Sequence, residues 1–378
     1  MSESTVFMGV TGTLLAGREI TELFATLGLC VGTHYFIQQS NTCYDIQEIY
    51  QVLRHGLTGW AFPDLDWIVQ GNRKTIIFAG TINLAFRLRM YFHHIAPQKK
   101  IRFYNLLCFA SHNKKTRQLF VEDPSVQAII TTDALLVRID FPNVEDVIIL
   151  KCDHPNQDKQ RCGRANHPGG NVQNAWGITY VTKGIMDRAR RMVADASSGK
   201  FVTVDQGLHI GMAQVLVASC HRREGDLIYA NPSSDPPCTC EMCRMILPPP
   251  DSCNCSGCLP EIPLPLLTHS RTRQSQIPAH LQLTEEMEEV GHKAFEKFRW
   301  EVWYANCAMA GHFPCFAFLP DATITTLLNN FGHLDSLESL KPYIDNLAFL
   351  KGQENELLAL IMALNDQFDK LPAPVPKQ

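Results

Sequence analysis

The sequence predicts an α/β protein, a mostly parallel, doubly wound sheet followed by a helical metal-binding module and a helical tail. Three observations predict it. Short runs rich in β-branched residues alternate with helical stretches between residues 74 and 181. Half of the 14 cysteines crowd between Cys220 and Cys258, and helix signals dominate from residue 283 onward.

In chain order, residues 6–10 predict a strand and 18–27 a helix, together the last βα unit of a preceding domain. Strands then follow at 74–79, 102–109, 126–131, 146–151 and 177–181, with helices at 81–94 and 114–121 between them. Repeated βα units with short connections imply parallel strands, whose ligand site lies beyond their C-terminal ends. Residues 186–196 and 208–221 predict helices leading into the cysteines. Residues 232–265, dense in Pro, Ser and Cys, predict a metal-held loop and a linker. In the tail, Thr284 precedes a first helical turn rich in glutamate, and 323–331 and 355–368 continue as helices. Trp300, Trp303 and Tyr304, at helical spacing, are expected to pack rather than stack on bases.

An apolar content of 45% and a charged content of 19% fit a folded chain. The net charge of -4 excludes a chain wrapped throughout in nucleic acid but allows a local basic stripe. No run approaches the roughly 18 apolar residues of a membrane span. The acidic start predicts no export signal, so the thiols are expected in a reducing compartment, where clustered cysteines bind metal.

Three segments of the α/β region carry chemistry. Thr75-Ile-Ile-Phe-Ala-Gly-Thr81 is a buried strand opening into a helix. Thr132, Asp133 and Asp140 lie between two strands, where they can touch phosphate, metal or a neighbouring domain. Gln160-Arg-Cys-Gly-Arg-Ala-Asn-His167 is expected to present Gln160 and Arg164, four apart, on one helical face, where a guanidinium suits a developing phosphoryl charge. Cys220 with Cys238, Cys240 and Cys243 predicts a tetrahedral thiolate shell for structural zinc. Cys253, Cys255 and Cys258 repeat the C-x-C-x-x-C spacing and could replace a ligand, hold a second ion, or be idle. Arg87, Arg89, Lys99, Lys100, Arg102, Lys114, Lys115 and Arg117 give a modest nucleic-acid signal near element ends.

Taken in order, the strand-turn, Thr132-x-Ala134 running to Asp140-Phe-Pro-x-Val144, and Gln160-Arg-x-Gly-Arg-Ala165 resemble helicase motifs IV, V and VI of superfamily 2. Thr11-Gly12-Thr13 sits where that superfamily has motif III, and Ser40-Asn41-Thr42 resembles the Ser-Asn that precedes the second lobe of RecQ-like enzymes. The resemblance covers roughly residues 6–245. It implies a remnant of a first helicase lobe at 1–34, a RecA-like C-terminal helicase lobe at 35–195, a zinc-binding module at 196–260, a linker at 261–282 and a helical tail at 283–370. It further implies an ATP-dependent 3′–5′ DNA helicase of the nucleus, acting in recombination and repair. Thr132, Asp140, Gln160 and Arg164 would face ATP and the lobe interface, with Asp133 and Arg161 beside the nucleotide. Arg87, Lys114, Lys115 and Arg117 would meet the backbone of single-stranded or forked DNA. A first lobe supplied in trans is an implied partner, and a membrane is not.

The sequence also departs from that pattern. It holds neither G-x-x-x-x-G-K-[S/T] nor an Asp-Glu-x-His box. Gly12 replaces the alanine of motif III, Cys43 an arginine, Arg138 a motif V glycine, and His167 the last motif VI arginine. Imidazole lacks the permanent, bidentate contact of guanidinium. The chain alone is therefore expected to have little ATPase activity, ATP and Mg2+ binding only with a first lobe. The alternatives are a non-enzymatic DNA- or protein-binding zinc module, or a fragment of a longer helicase gene.

Overall fold

The structure is a computed structural model that describes residues 11, 13–29, 32, 34–135, 141–166, 172, 174–200, 207–233, 252–259, 283–306, 313–345 and 347–368. It divides into two compact units. The first draws on residues 1–56, 65–89 and 96–265, the second on 57–64, 90–95 and 266–378.

The first unit is built on six strands, β1 (Ile46–Val52), β2 (Thr75–Ala79), β3 (Lys100–Tyr104), β4 (Val126–Thr131), β5 (Asp146–Leu150) and β6 (Ala175–Val181). Their order is β1-β6-β5-β2-β4-β3, and every pairing is parallel. β2, β4 and β5 are buried at each position, as continuous Ile/Val/Thr runs demand when helices cover both faces. Among the described residues eight helices accompany the sheet: α1 (Arg18–Thr26), α2 (Asp66–Gln70), α3 (Ile82–Ile95), α4 (Ala110–Glu122), α5 (Pro155–Cys162), α6 (Lys183–Ser197), α7 (Ile210–Val217) and α8 (His221–Tyr229). The last residues of α3, from Met90, group with the second unit. Phe78, Phe120, Ile129, Phe141, Val147, Ile149, Met212 and Leu216 share one buried core.

The parallel α/β sheet matches the expectation, with four adjustments. β1 and α2 were not anticipated as elements, and α5 starts at Pro155, ahead of the helical face expected from Gln160. The expected strand at 102–109 stops at Tyr104, because buried Asn105 turns the chain by accepting the N–H groups of Leu107 at 2.7 Å and Cys108 at 3.1 Å. The single helix expected at 208–221 is two, α7 and α8, separated where Ala218 becomes extended. α5 ends at Cys162, so Arg164 follows in a tighter turn, its N–H bonded to the Arg161 carbonyl at 3.0 Å, and does not share a regular helical face with Gln160. The strand expected at 6–10 lies outside the described residues.

The second unit packs α9 (Glu285–Ala305), α10 (Asp321–Asn329), α11 (Leu337–Ile344) and α12 (Glu354–Phe368). Thr284 caps α9 by accepting the Met287 N–H at 3.3 Å, and Ser336 with Ser339 forms a capping box on α11. Phe295, Phe318, Leu327 and Ile361 are fully or almost fully buried in its core. Gly291 permits close packing, since a Cβ there would lie 2.5 Å from Leu328 Cδ2. Trp303 packs as expected, its Nε1–H on the Phe313 carbonyl at 2.7 Å. Trp300 and Tyr304 are instead exposed and stack on each other, 5.7 Å between centroids. Among the described residues no helix is long and apolar enough to cross a membrane.

Candidate functional site

The C-terminal ends of β4 and β5 and the helix that follows β5 hold the predicted Gln-Arg-x-Gly-Arg segment. Its start is well determined: His154 caps α5 by accepting the Asn156 N–H at 3.2 Å, and Pro155 takes the first helical position. The body of α5 is polar in composition yet sits on the sheet, so its buried polar groups need partners. Lys159 Nζ meets Glu48 Oε1 of β1 at 2.6 Å, both side chains largely buried. Burial opposes each charge, but the pairing holds the Glu48 carboxyl below, and the Lys159 ammonium above, its ordinary value. Asp158 accepts the Tyr50 hydroxyl at 2.7 Å and the Thr179 hydroxyl at 2.5 Å, and burial lifts its carboxyl above the ordinary value despite both bonds. Gly177 of β6 lets the helix end approach, since a Cβ there would lie 2.7 Å from Cys162 Sγ.

α5 so anchored sets the residues sequence reasoning singled out. Arg161 is 3% exposed and donates from Nε at 3.0 Å and Nη2 at 2.7 Å to Asp133 Oδ1, at the end of β4. Its Nη1 is buried without a hydrogen-bond partner. Arg161 and Asp133 are therefore together, as a pair with each other. Gln160 donates from Nε2 to Thr13 Oγ1 at 2.7 Å, which joins the Thr11-Gly-Thr13 segment to the Gln-Arg segment 147 residues on. Arg164 is half-buried in the turn after α5, and Thr132 half-buried at the end of β4. Asp140, Arg138 and His167 lie outside the described residues.

One cluster here was not anticipated. Glu19 of α1, His154 and His209, the cap of α7, bring their polar atoms within 4.8 Å of one another. His154 Nε2 is 3.5 Å from Glu19 Oε1, and Glu19 Oε2 accepts from Asn156 Nδ2 at 3.2 Å. Both imidazoles spend the Nδ1 lone pair on a backbone N–H, that of Gly211 reaching His209 at 3.1 Å. Neutral rings so used carry their protons on Nε2. Metal-ligating histidines have the opposite arrangement, the second ring nitrogen donating, so this cluster suits a hydrogen-bonded latch rather than a cation. Burial, and then His154, push the His209 imidazole below 6.5, against Glu19. Three residues so distant in sequence gave no spacing signal.

The second cluster is thiolate. Cys220, Cys253, Cys255 and Cys258 place their Sγ atoms within 4.8 Å of one another, Cys220 and Cys253 at 3.7 Å. A tetrahedral shell with metal–sulfur bonds of about 2.3 Å has sulfur–sulfur edges of about 3.8 Å, so the group could hold a metal ion. Burial works against a Cys255 thiolate, but the N–H groups of Arg222, Cys258 and His221 bring its thiol down to about 7. The knuckle docks on β1, with Ser256 N–H on the Glu48 carbonyl and Tyr50 N–H on Ser256 Oγ, each at 3.0 Å. Gly257 is required there, since a Cβ would fall 2.5 Å from the Ser219 carbonyl oxygen. Among the described residues Cys220 gathers with the second trio, Cys253, Cys255 and Cys258; Cys238, Cys240 and Cys243 lie outside the described residues. The Asn41-Thr42 segment is bonded to the same module, with Thr42 Oγ1 on Asp226 at 2.6 Å and Asn231 Nδ2 on Asn41 Oδ1 at 3.0 Å.

The candidate cations divide into two sets. Arg87 donates to Asn83, Lys99 to Gly71 and Asn72, Lys100 pairs with Asp123, and Arg102 donates to Thr116. Lys114, Lys115 and Arg117 are exposed along α4.

The helicase conserved C-terminal domain matches residues 61–169, which run from before β2 through α5. No curated protein matches the chain. Among solved structures it is similar to the C-terminal part of the Fun30 ATPase domain, at 18% identity and TM-score 0.30, covering 43% of this chain and 50% of that one. It is also similar to the Mycobacterium smegmatis helicase Lhr bound to ssDNA and AMP-PNP (17%, TM-score 0.32, 47% of this chain and 25% of that one). A third is a DEAD box protein from Methanococcus jannaschii (18%, TM-score 0.34, 49% and 47%). The chain thus spans half or less of each. The family match falls on β2 to β5 and on the helix that carries Gln160 and Arg161, so this stretch of the α/β unit is similar to the helicase conserved C-terminal domain.

Proposed function

We propose that this chain supplies the arginine-bearing lobe of a RecQ-like, ATP-dependent 3′–5′ DNA helicase, with structural zinc in the Cys220, Cys253, Cys255 and Cys258 cluster. The observation that carries the reading is the Gln160–Thr13 hydrogen bond, because it couples the two segments that resemble motifs III and VI. A motor of this class closes two lobes around ATP, and the resemblance implies that Gln160 faces the nucleotide and the lobe interface. Arg164, beside the bend that follows Gln160, is the candidate for stabilising charge on a transferring phosphoryl group, and Arg161 holds Asp133 and the β4 end in place. A second nucleotide-clasping surface, with its magnesium, would come from a first lobe. Zinc suits four thiolates, closes its shell and leaves no position for water, which makes its role structural. The DNA partner, single-stranded or forked, and a nuclear setting in repair or recombination come from the resemblance.

The test is phosphate release by the purified chain with single-stranded DNA, alone and with a RecQ-type first lobe added. Little turnover is expected alone, and any turnover with the added lobe should fall on the order of a thousandfold in Arg164→Ala. Turnover by the chain alone comparable to an intact helicase, or an Arg164→Ala variant as active as its parent, refutes the assignment.

A further inference from the structure

The turn after edge strand β3 has an unusual surface. Leu106, Leu107 and Phe109 are 82%, 79% and 84% exposed, three large apolar side chains within four consecutive residues. This tip is not a slack loop. Asn105 is buried, its Oδ1 accepts the two N–H groups that shape the turn, and its carbonyl accepts the Cys108 N–H at 3.2 Å and Asn113 Nδ2 at 2.8 Å. The turn is therefore held from inside while its apolar groups face water, an arrangement that marks an interaction site rather than a packing residue out of place.

What surrounds the tip says what it meets. α4 starts at the next residue, Ala110, and its exposed side carries Lys114, Lys115 and Arg117. None of the three has an ion-pair partner among the described residues, and no carboxylate occurs in the helix before Glu122. At about 1.5 Å per residue, Lys114 lies roughly 7.5 Å along the helix from Phe109. An apolar tip followed by cations free of acidic neighbours complements a polyanion that also offers flat apolar faces. Unpaired nucleobases on a phosphate backbone have that chemistry, whereas an acidic peptide has charge without the faces. The tip also lies at the C-terminal edge of the sheet, the edge that carries Asp133 and Arg161.

We infer that Leu106, Leu107 and Phe109 form a base-contacting wedge for single-stranded nucleic acid, with Lys114, Lys115 and Arg117 holding the adjoining phosphates. The inference rests on the nucleic-acid part of the proposed function and adds to it the element that touches bases.

The experiment measures fluorescence anisotropy of the full chain with two probes of equal charge, a strand of about 20 thymidylates and an abasic strand of the same length. The parent should prefer the base-bearing strand by about tenfold, the scale of one aromatic stack. The triple variant Leu106→Ser, Leu107→Ser, Phe109→Ser should lose that preference and bind both strands as the parent binds the abasic one. Phe109→Tyr should keep it. Lys114→Glu with Lys115→Glu should weaken both probes alike and flatten the salt dependence between about 50 and 200 mM. Circular dichroism melts of the variants verify folding, and a misfolded triple variant leaves Phe109→Ser alone as the deciding one. Equal, salt-dependent affinity of the parent for both strands overturns the wedge and leaves the nucleic-acid reading standing; binding to neither overturns both. Binding to phosphatidylserine vesicles that the triple variant loses, with oligonucleotide affinity unchanged, assigns the tip to a membrane surface and overturns the inference as well.

Discussion

Two regions that meet β1 at Glu48 and Tyr50 are held by different physics. α5 is fixed by contacts the chain makes with itself: the Glu48–Lys159 pair and the hydroxyls of Tyr50 and Thr179 on Asp158. The cysteine knuckle docks on the same strand through Ser256, whose N–H meets the Glu48 carbonyl and whose Oγ accepts the Tyr50 N–H, and its four sulfurs lie within 4.8 Å of one another. One region is complete from protein atoms alone; the other gathers four thiols that could hold a metal ion. Arg161 is therefore positioned by protein atoms alone, while on the proposed zinc reading the module around Cys220 would depend on a metal ion.

Removing the ion should produce the largest effect and confine it to one side of this comparison. Binding by structural thiolate sites is worth about 10–16 kcal/mol in small domains, and even a third of that lowers the melting midpoint by on the order of 10 °C. Cys255→Ser should release the metal, measured by elemental analysis, and lower the midpoint by that amount, while the far-ultraviolet signal of the sheet persists below it. A metal-free parent, or a variant that melts with it, breaks the contrast. On the other side, Lys159→Met leaves a buried carboxylate without its partner and should cost about 3–5 kcal/mol in urea unfolding. Adding Glu48→Leu should recover much of that, since two apolar groups replace a buried pair at little net cost. Metal content should remain unchanged in both.

A smaller effect separates two glycines of the module. Gly257→Ala brings a methyl against the Ser219 carbonyl and should weaken metal binding about tenfold, read by competition with a chelator. Gly225, within α8, has nothing within 4 Å of its missing Cβ, and Gly225→Ala should stabilise by roughly 0.5–1 kcal/mol. Equal affinities in the two variants would mean that the knuckle is not held against Ser219.

The same glycine shows what was legible in the sequence. Both trios have C-x-C-x-x-C spacing, so spacing could not choose between them as companions of Cys220. The second, Cys255-Ser-Gly-Cys258, has a residue that lets the chain press against a carbonyl; Cys240-Glu-Met-Cys243 has none. The central strands could be read directly, because β2, β4 and β5 are buried on both faces and admit little but β-branched and apolar residues. β1 could not: Glu48 and Gln51 break its pattern, and Glu48 is polar for a partner 111 residues away. The start and the burial of α5 were hidden for the same reason, its Asp158, Lys159 and Arg161 being buried groups whose partners come from β1, β6 and the end of β4. Segments that satisfy themselves show in sequence, and segments satisfied by distant polar atoms do not. The Glu19–His154–His209 latch is the extreme case, with each member unremarkable in its own neighbourhood.

That latch supplies the smallest and most selective effect. His209 titrates below 6.5 in the folded chain, chiefly through burial and then the nearby His154, so the folded state favours the neutral ring. A depressed value means that the unfolded chain takes the proton first as pH falls. The stabilisation is therefore complete above about 6.5 and is lost progressively below it, ending once the folded ring itself is protonated. His209→Asn removes the titration but keeps an acceptor for the Gly211 N–H, and asparagine is a good helix cap. Melts at pH of about 7.5 and about 5.5 should show the parent losing more stability than the variant across that interval, with the two nearly equal at the upper pH. A variant whose midpoint falls as steeply as the parent's would place the acid sensitivity elsewhere and leave His209 only its capping role.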